Sequence, residues 1–389
     1  MVGTRRLPQL LGAAALVTVF SVAAQAKPFM IVGLDQKVSW NSQGQTVLGP
    51  SGNDKVLIVD LATPSAPKIV ASLPLENSVV GPPVNVAISP NGDIAIVADS
   101  VTLSSGTPQK LVPTDKLFVI DLKADPPKLL ATLKVGEEPS GLSINPAGDL
   151  ALVANRAGKS LSVLKISGTD VTVVGTVPMG TEVSAVTFTP DGKRALTVES
   201  QANKVALLAV NGETVTPAHR GFPTYWFPYN VMVTPNGQLA FTADNGDHGI
   251  SDGNADAISV IDLADQPPRV IDHIGVPDAP EGLAISPRGD LLAVASVQGS
   301  NSGDVWFHHA DGVVTIFRIA GMKVTPEETI KVGRMPEPLA FSPSGKYLYV
   351  GNYLDDDFSI LRVDGTDVVD TGKILKVPGQ PASASTGAN

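Results

Sequence analysis

The chain has 389 residues, 38 acidic side chains against 28 basic ones, a formal net charge of −10 and no cysteine. Without cysteine there can be no disulfide, thiolate metal site, thiol nucleophile or covalent haem. The acidic balance withholds the electrostatic term from nucleic-acid and anionic-membrane binding, so neither is an expected partner.

Residues 1–26 read as a signal peptide. Arg5 and Arg6 supply the positive region, Leu10 to Ala24 the apolar run, and Ala24-Gln25-Ala26 the small-residue cleavage site. The run is short for a bilayer span, and no cysteine follows it to carry a lipid. Either the Sec or the twin-arginine route suits Arg5-Arg6. The mature chain is expected in the periplasm or the medium, as a monomer that needs no disulfide staples.

From residue 27 onward one signal recurs: an apolar strand, a Ser/Thr-Pro-x-Gly turn and a second apolar strand. Clear copies begin at Val86, Leu142, Val186, Val231, Leu283 and Leu339, and a degenerate first copy, VSWNSQGQTVLGPSG, begins at Val38. Proline presets φ at the second turn position and glycine takes the fourth, as in Ser89-Pro90-Asn91-Gly92. A third strand follows each copy, for example DKLFVIDL (Asp115–Leu122) and DAISVIDL (Asp256–Leu263). A fourth often opens on proline, as in PKLLATL (Pro127–Leu133), which suits the outer edge of a sheet. The alternation is that of strands. A strand-only period of roughly 45–55 residues implies one four-stranded sheet per repeat, arrayed radially. The expected fold is all-β: a seven-bladed β-propeller of four-stranded antiparallel blades spanning residues 27–379. Pro28–Asp35 and Gly372–Gly379 are expected to meet in the closing blade, and residues 380–389 to form a flexible tail.

The best copy, MPEPLAFSPSGKYLYVGN (Met335–Asn352), places Tyr349-Val350-Gly351-Asn352 at its second strand, with looser copies at Leu152–Asn155 and Phe241–Asp244. In these motifs the chain resembles the bacterial YVTN-repeat and lactonase-like seven-bladed propellers. The resemblance implies the propeller fold, and an activity on lactones of sugar acids that some relatives are proposed to have. Fold alone does not supply a function.

The Pro-x-Gly turns never lengthen, whereas the connections after the second strand grow at Val101–Thr114, Gly246–Ala255 and Gln298–Asp311. Propeller topology puts these connections on one face, around one mouth of the channel, where binding is expected. Four groups there could carry chemistry. Asp244, Asp247, Asp252 and Asp256, with His248, suit a hard divalent cation such as calcium, or only a polar loop. Arg220, Tyr225, Trp226 and Tyr229, in HRGFPTYWFPYN beside His219, could stack a ring and pair a carboxylate, or plug the channel. His308, beside His309, is a candidate base. Ser140, Tyr229, Glu281 and Glu337 each follow a proline at the entry to an innermost strand, so repeat symmetry gathers them at the mouth. There the two glutamates could divide acid and base roles or cap backbone N–H groups. No G-x-S-x-G, H-E-x-x-H, phosphate loop or dinucleotide fingerprint occurs. Two functions stay open: an exported propeller binding a small polar ligand or a protein partner, and a lactonase-like hydrolase.

Overall fold

The computed structural model describes residues 1–3, 27–247 and 249–387; the segment read as a signal peptide lies, from residue 4 on, outside the described residues. The described residues contain no α-helix, only strands and two single-turn 3-10 helices. Seven four-stranded antiparallel sheets account for nearly all of them. In blades 2 to 7 the strands run outward in chain order, as in Pro280–Ile285, Leu291–Ser296, Val313–Ala320 and Lys323–Lys331 of blade 6. The innermost strands touch one another around a full circle. The chain is a seven-bladed β-propeller.

The side-chain alternation explains the ring. Each blade presents apolar residues on both faces, and a separate buried cluster fills each of the seven seams. Blades 6 and 7, for instance, meet through Leu291, Ala293, Val314, Phe341, Leu348 and Val350. Such seams remove far more apolar surface than an isolated sheet could, at roughly 25 cal/mol per Å². An eighth cluster, of Val38, Val79, Ala279, Val297, Met335, Tyr353 and Ala382, seals the loop-bearing face.

Two expectations need correction. The degenerate first repeat is not a blade hairpin. Val38–Trp40 and Thr46–Leu48 pair only with each other, as an excursion between the second and third strands of blade 1. Tyr353 anchors it, donating from its hydroxyl to Val38 O at 2.7 Å and meeting the Trp40 ring edge-on at 5.6 Å. The innermost strand of blade 1 comes instead from residues 380–389, read from sequence as a tail. Gln380–Ser385 pairs antiparallel with Phe29–Asp35, and Ala382, Ser383 and Ala384 are buried. Gly372–Gly379, expected to close the ring, ends the outermost strand of blade 7 and leads out of it. Seven blades thus arise from six Pro-x-Gly hairpins and one blade shared by the two ends of the chain. The segment Val101–Thr114 also departs from a loop: its two sides extend the paired strands Ile94–Leu103 and Leu111–Asp121.

Truncation after Gly379 should remove an entire inner ladder at about 1 kcal/mol per hydrogen bond and expose the two seams beside it. The expected result is a loss of at least about 5 kcal/mol, or of the cooperative melt altogether. Truncation after Gly387 should leave the melting curve unchanged, so equal effects of the two cuts would refute the closure.

Candidate functional site

The loop-bearing mouth is organised by one backbone step that recurs in four blades. The innermost strands of blades 3, 5, 6 and 7 start at Pro139, Pro228, Pro280 and Pro336. The residue before each proline is left-handed: Glu138 (φ 58°), Phe227 (53°), Ala279 (54°) and Met335 (52°). Non-glycine residues persist in that region only where their surroundings over-determine them. Here the N–H of each donates to the preceding blade: to Thr114 O at 2.8 Å, Asn203 Oδ1 at 2.8 Å, Asp256 Oδ2 at 2.8 Å and Ser300 Oγ at 2.9 Å. The carbonyl of each accepts from its own blade, from the N–H of Arg156, Asn245, Val297 and Tyr353. After this step the chain delivers Ser140, Tyr229, Glu281 and Glu337 to equivalent places around the mouth.

Three of the four, Tyr229, Glu281 and Glu337, line one cavity of about 550 Å³ together with Arg156. Its walls include Trp40, Gln43 and Gln45 of the excursion hairpin, Phe227, Ile250 and Ser251, and Asn301, Ser302 and Phe307. Gly282 makes the adjacency of the two glutamates possible, because a Cβ there would collide with the Glu337 carbonyl oxygen. Ser140 lies to one side, its hydroxyl 3.4 Å from that of Ser100.

The electrostatics follow from burial. Glu281 and Glu337 are 7% and 3% exposed. Burial pushes Glu281 from 4.5 up to about 8, against the Asn245 amide, which donates to its Oε1 at 2.7 Å, and against the Arg156 charge. Glu337 has no such donor among the described residues, and burial and then the Glu281 charge raise it well above the ordinary range. Burial opposes the Arg156 cation, but Tyr229, Glu138 and Glu182 outweigh it and keep the guanidinium charged. Arg156 Nε donates to Glu182 Oε1 at 3.2 Å. Its Nη1 is 3.3 Å from Glu138 Oε1, in ion-pair range but out of hydrogen-bond alignment, which leaves a buried donor unused. Two buried carboxyls in one site cannot both ionise readily, an arrangement able to supply an acid and a base. The fixed guanidinium can hold developing negative charge.

The other sequence candidates are placed elsewhere. Arg220 is exposed on Thr214–Pro223, the outermost strand of blade 4, and does not line the cavity. Tyr225 and Trp226 are 45% and 46% exposed, and the Tyr225 ring leans on His273 of the outer strand of blade 5, 6.3 Å between centroids. Of the expected stacking segment Phe227 and Tyr229 line the cavity, after the left-handed step at Phe227, while Tyr225 and Trp226 do not. His308 lines a neighbouring groove of about 700 Å³, its Nδ1 3.3 Å from Gly299 O.

Among the described residues the four aspartates have separate partners. Asp244 is buried and accepts from the hydroxyls of Thr242 and Ser259, and burial raises it to about 6. Asp256 holds the left-handed Ala279, and burial raises it to about 7. Asp252 turns back on Asn254 N–H at 2.8 Å. Asp247 belongs to the turn that follows Asn245. Among the described residues no three His, Asp or Glu side chains are disposed to hold a metal. His248 and the side chain of His219 lie outside the described residues.

Sequence reading missed Arg156 and Asn245. Each directly follows the second strand of its blade, Leu150–Asn155 or Leu239–Asp244, and each bonds through N–H to a left-handed entry residue. Aligning the repeats at that position would have set them beside the glutamates. The opposite mouth, bounded by Pro90, Pro146, Pro190, Pro235 and Pro287, is an apolar cup of about 400 Å³, and among the described residues no titratable side chain lines it.

No family model matches the sequence, and no curated protein does. Solved structures do match in fold. A candidate 6-phosphogluconolactonase from Bacteroides uniformis is 16% identical, with 92% of this chain and 99% of that one covered and a TM-score of 0.69. A periplasmic gluconolactonase from Pseudomonas aeruginosa is 18% identical, with 92% and 98% covered and a TM-score of 0.64. A hydrazine synthase from Kuenenia stuttgartiensis is also 18% identical, with 81% and 92% covered and a TM-score of 0.62. At these identities the likeness is one of fold.

The buried acid pair has a thermodynamic signature. In the folded chain Glu281 releases its proton near pH 8, against 4.5 ordinarily. The unfolded chain therefore gains on the folded one as pH rises through that window, and stability present at low pH is lost. Glu281→Gln keeps an acceptor for Asn245 and removes the titration. Relative to this variant the wild type should lose at least about 2 kcal/mol between pH 5 and pH 9, measured by chemical denaturation. Parallel responses would mean that Glu281 is ionised throughout.

Proposed function

We propose that the chain is an exported hydrolase that opens a sugar-acid lactone, or a closely related cyclic ester, at the loop-bearing mouth of the propeller. The observation that carries this reading is the buried Glu281–Glu337 pair beside Arg156 in a cavity of about 550 Å³. Similarity of fold to a gluconolactonase and to a candidate 6-phosphogluconolactonase supports it. The small-ligand part of the binding reading uses the same cavity, which would hold the substrate; a protein partner is a separate reading.

The environments assign the roles. Glu281, with its Asn245 donor and the Arg156 charge, is the more readily ionised and acts as the base. It takes a proton from water as the water oxygen bonds to the lactone carbonyl carbon. Arg156 faces the oxyanion that forms. Glu337, kept protonated by burial and by its neighbour, gives its proton to the ring oxygen as the C–O bond breaks. The product is the open hydroxy acid, and proton exchange restores the pair.

Turnover of aldonolactones by the mature chain should exceed spontaneous opening. Glu281→Gln and Glu337→Gln should each lower kcat/KM at least ~100-fold, and Arg156→Lys at least ~10-fold. His308→Ala and Arg220→Ala should leave it unchanged. The pH profile should be bell-shaped, reporting the pair rather than either residue. No turnover of any sugar-acid lactone would end the proposal.

Export to the periplasm belongs to the same proposal, on the strength of Arg5-Arg6, the apolar run and Ala24-Gln25-Ala26. N-terminal sequencing of the protein from a periplasmic extract should begin at Lys27. A chain beginning at Met1 would contradict it.

A further inference from the structure

We infer that the cavity selects uncharged sugar lactones and rejects their phosphorylated counterparts, an inference that rests on the hydrolase reading of the same site. Among the described residues the lining holds one cation, Arg156, and it is paired with Glu138 and Glu182, with its Nη1 donor unused. No lysine among the described residues lines the cavity, and its other titratable side chains are Tyr229 and the two buried glutamates. The nearby cations are committed elsewhere. Lys37 is buried against Asp35 and Asp54, and Arg334 faces the neighbouring groove, with Nε 2.8 Å from Asp355 Oδ1.

Phosphate recognition uses free guanidinium or ammonium groups, or helix N-termini. The described residues include no α-helix to supply the last. Among the described residues a phosphate dianion would therefore meet a single guanidinium, already shared with two carboxylates, and no second cation to offset its lost water. The chain's net charge of −10 opposes its approach as well.

The neutral part of the lining suits the alternative. Gln45, Asn301 and Ser302 offer amide and hydroxyl groups that both donate and accept, as sugar hydroxyls do. Trp40 and Phe307 supply apolar faces for a ring.

The test separates selectivity from catalysis. Calorimetry on the mature chain would compare a neutral sugar lactam, which cannot be hydrolysed, with the same lactam carrying a 6-phosphate. The expected result is at least tenfold tighter binding of the neutral lactam, and a matching preference in kcat/KM for gluconolactone over its 6-phosphate. Gln45→Lys, which sets a cation on the exposed side of the wall, should narrow both ratios at least tenfold. Equal or tighter binding of the phosphorylated lactam overturns the inference, as does binding of neither. Selective binding without any turnover upholds the selectivity and removes the hydrolase reading alone.

Discussion

The pairing of Gln380–Ser385 with Phe29–Asp35 is the constraint on which the remainder of the molecule rests. A radial array of sheets buries its apolar faces only if every blade has two neighbours, and an open ring would leave two seams wet. Joining the two ends of the chain within one blade makes closure a matter of backbone hydrogen bonding as well as of packing. It also fixes the angular place of each blade, and hence which entry residues stand side by side. Glu281 and Glu337 are adjacent because blades 6 and 7 are adjacent and because Gly282 lets their inner strands approach.

The mouth is then shaped by strain held in place. Four non-glycine residues take left-handed φ, each fixed by a donor–acceptor pair that links successive blades. A closed ring can hold that strain, whereas a free hairpin would relax it. The same arrangement accounts for Asp256. Its carboxylate, attractive as a metal ligand on sequence grounds, serves the left-handed Ala279 of the next blade. Buried carboxyls at this mouth therefore do two kinds of work. Asp256 holds backbone, while Glu281 and Glu337 line the cavity, where burial raises the pKa of both.

Much of the fold was legible in sequence because its determinants are local. Alternating apolar residues and Ser/Thr-Pro-x-Gly turns specify a hairpin without reference to the remainder of the chain. The two errors fell where the decision is not local. The hairpin beginning at Val38 has the pattern of a blade entry but no seam to fill. The segment Gln-Pro-Ala-Ser-Ala-Ser has the composition of a tail but meets a strand more than three hundred residues away in the chain. Of the candidate site, Tyr229, Glu281 and Glu337 could be found because repeat symmetry aligns them after a proline. Arg220 could not be told from Arg156 by composition. Only the sheet order puts one on an outer strand and the other at the mouth.

By itself, then, the sequence determined the blade: its strands, its tight turns and a repeat that admits a ring. The tertiary structure decided how the ring closes, which carboxyls lose their water, and which cation stands beside them. The physical reason is range. Turn geometry and side-chain alternation act over a few residues, whereas burial, and the pKa shifts that follow from it, depend on neighbours brought in from other blades.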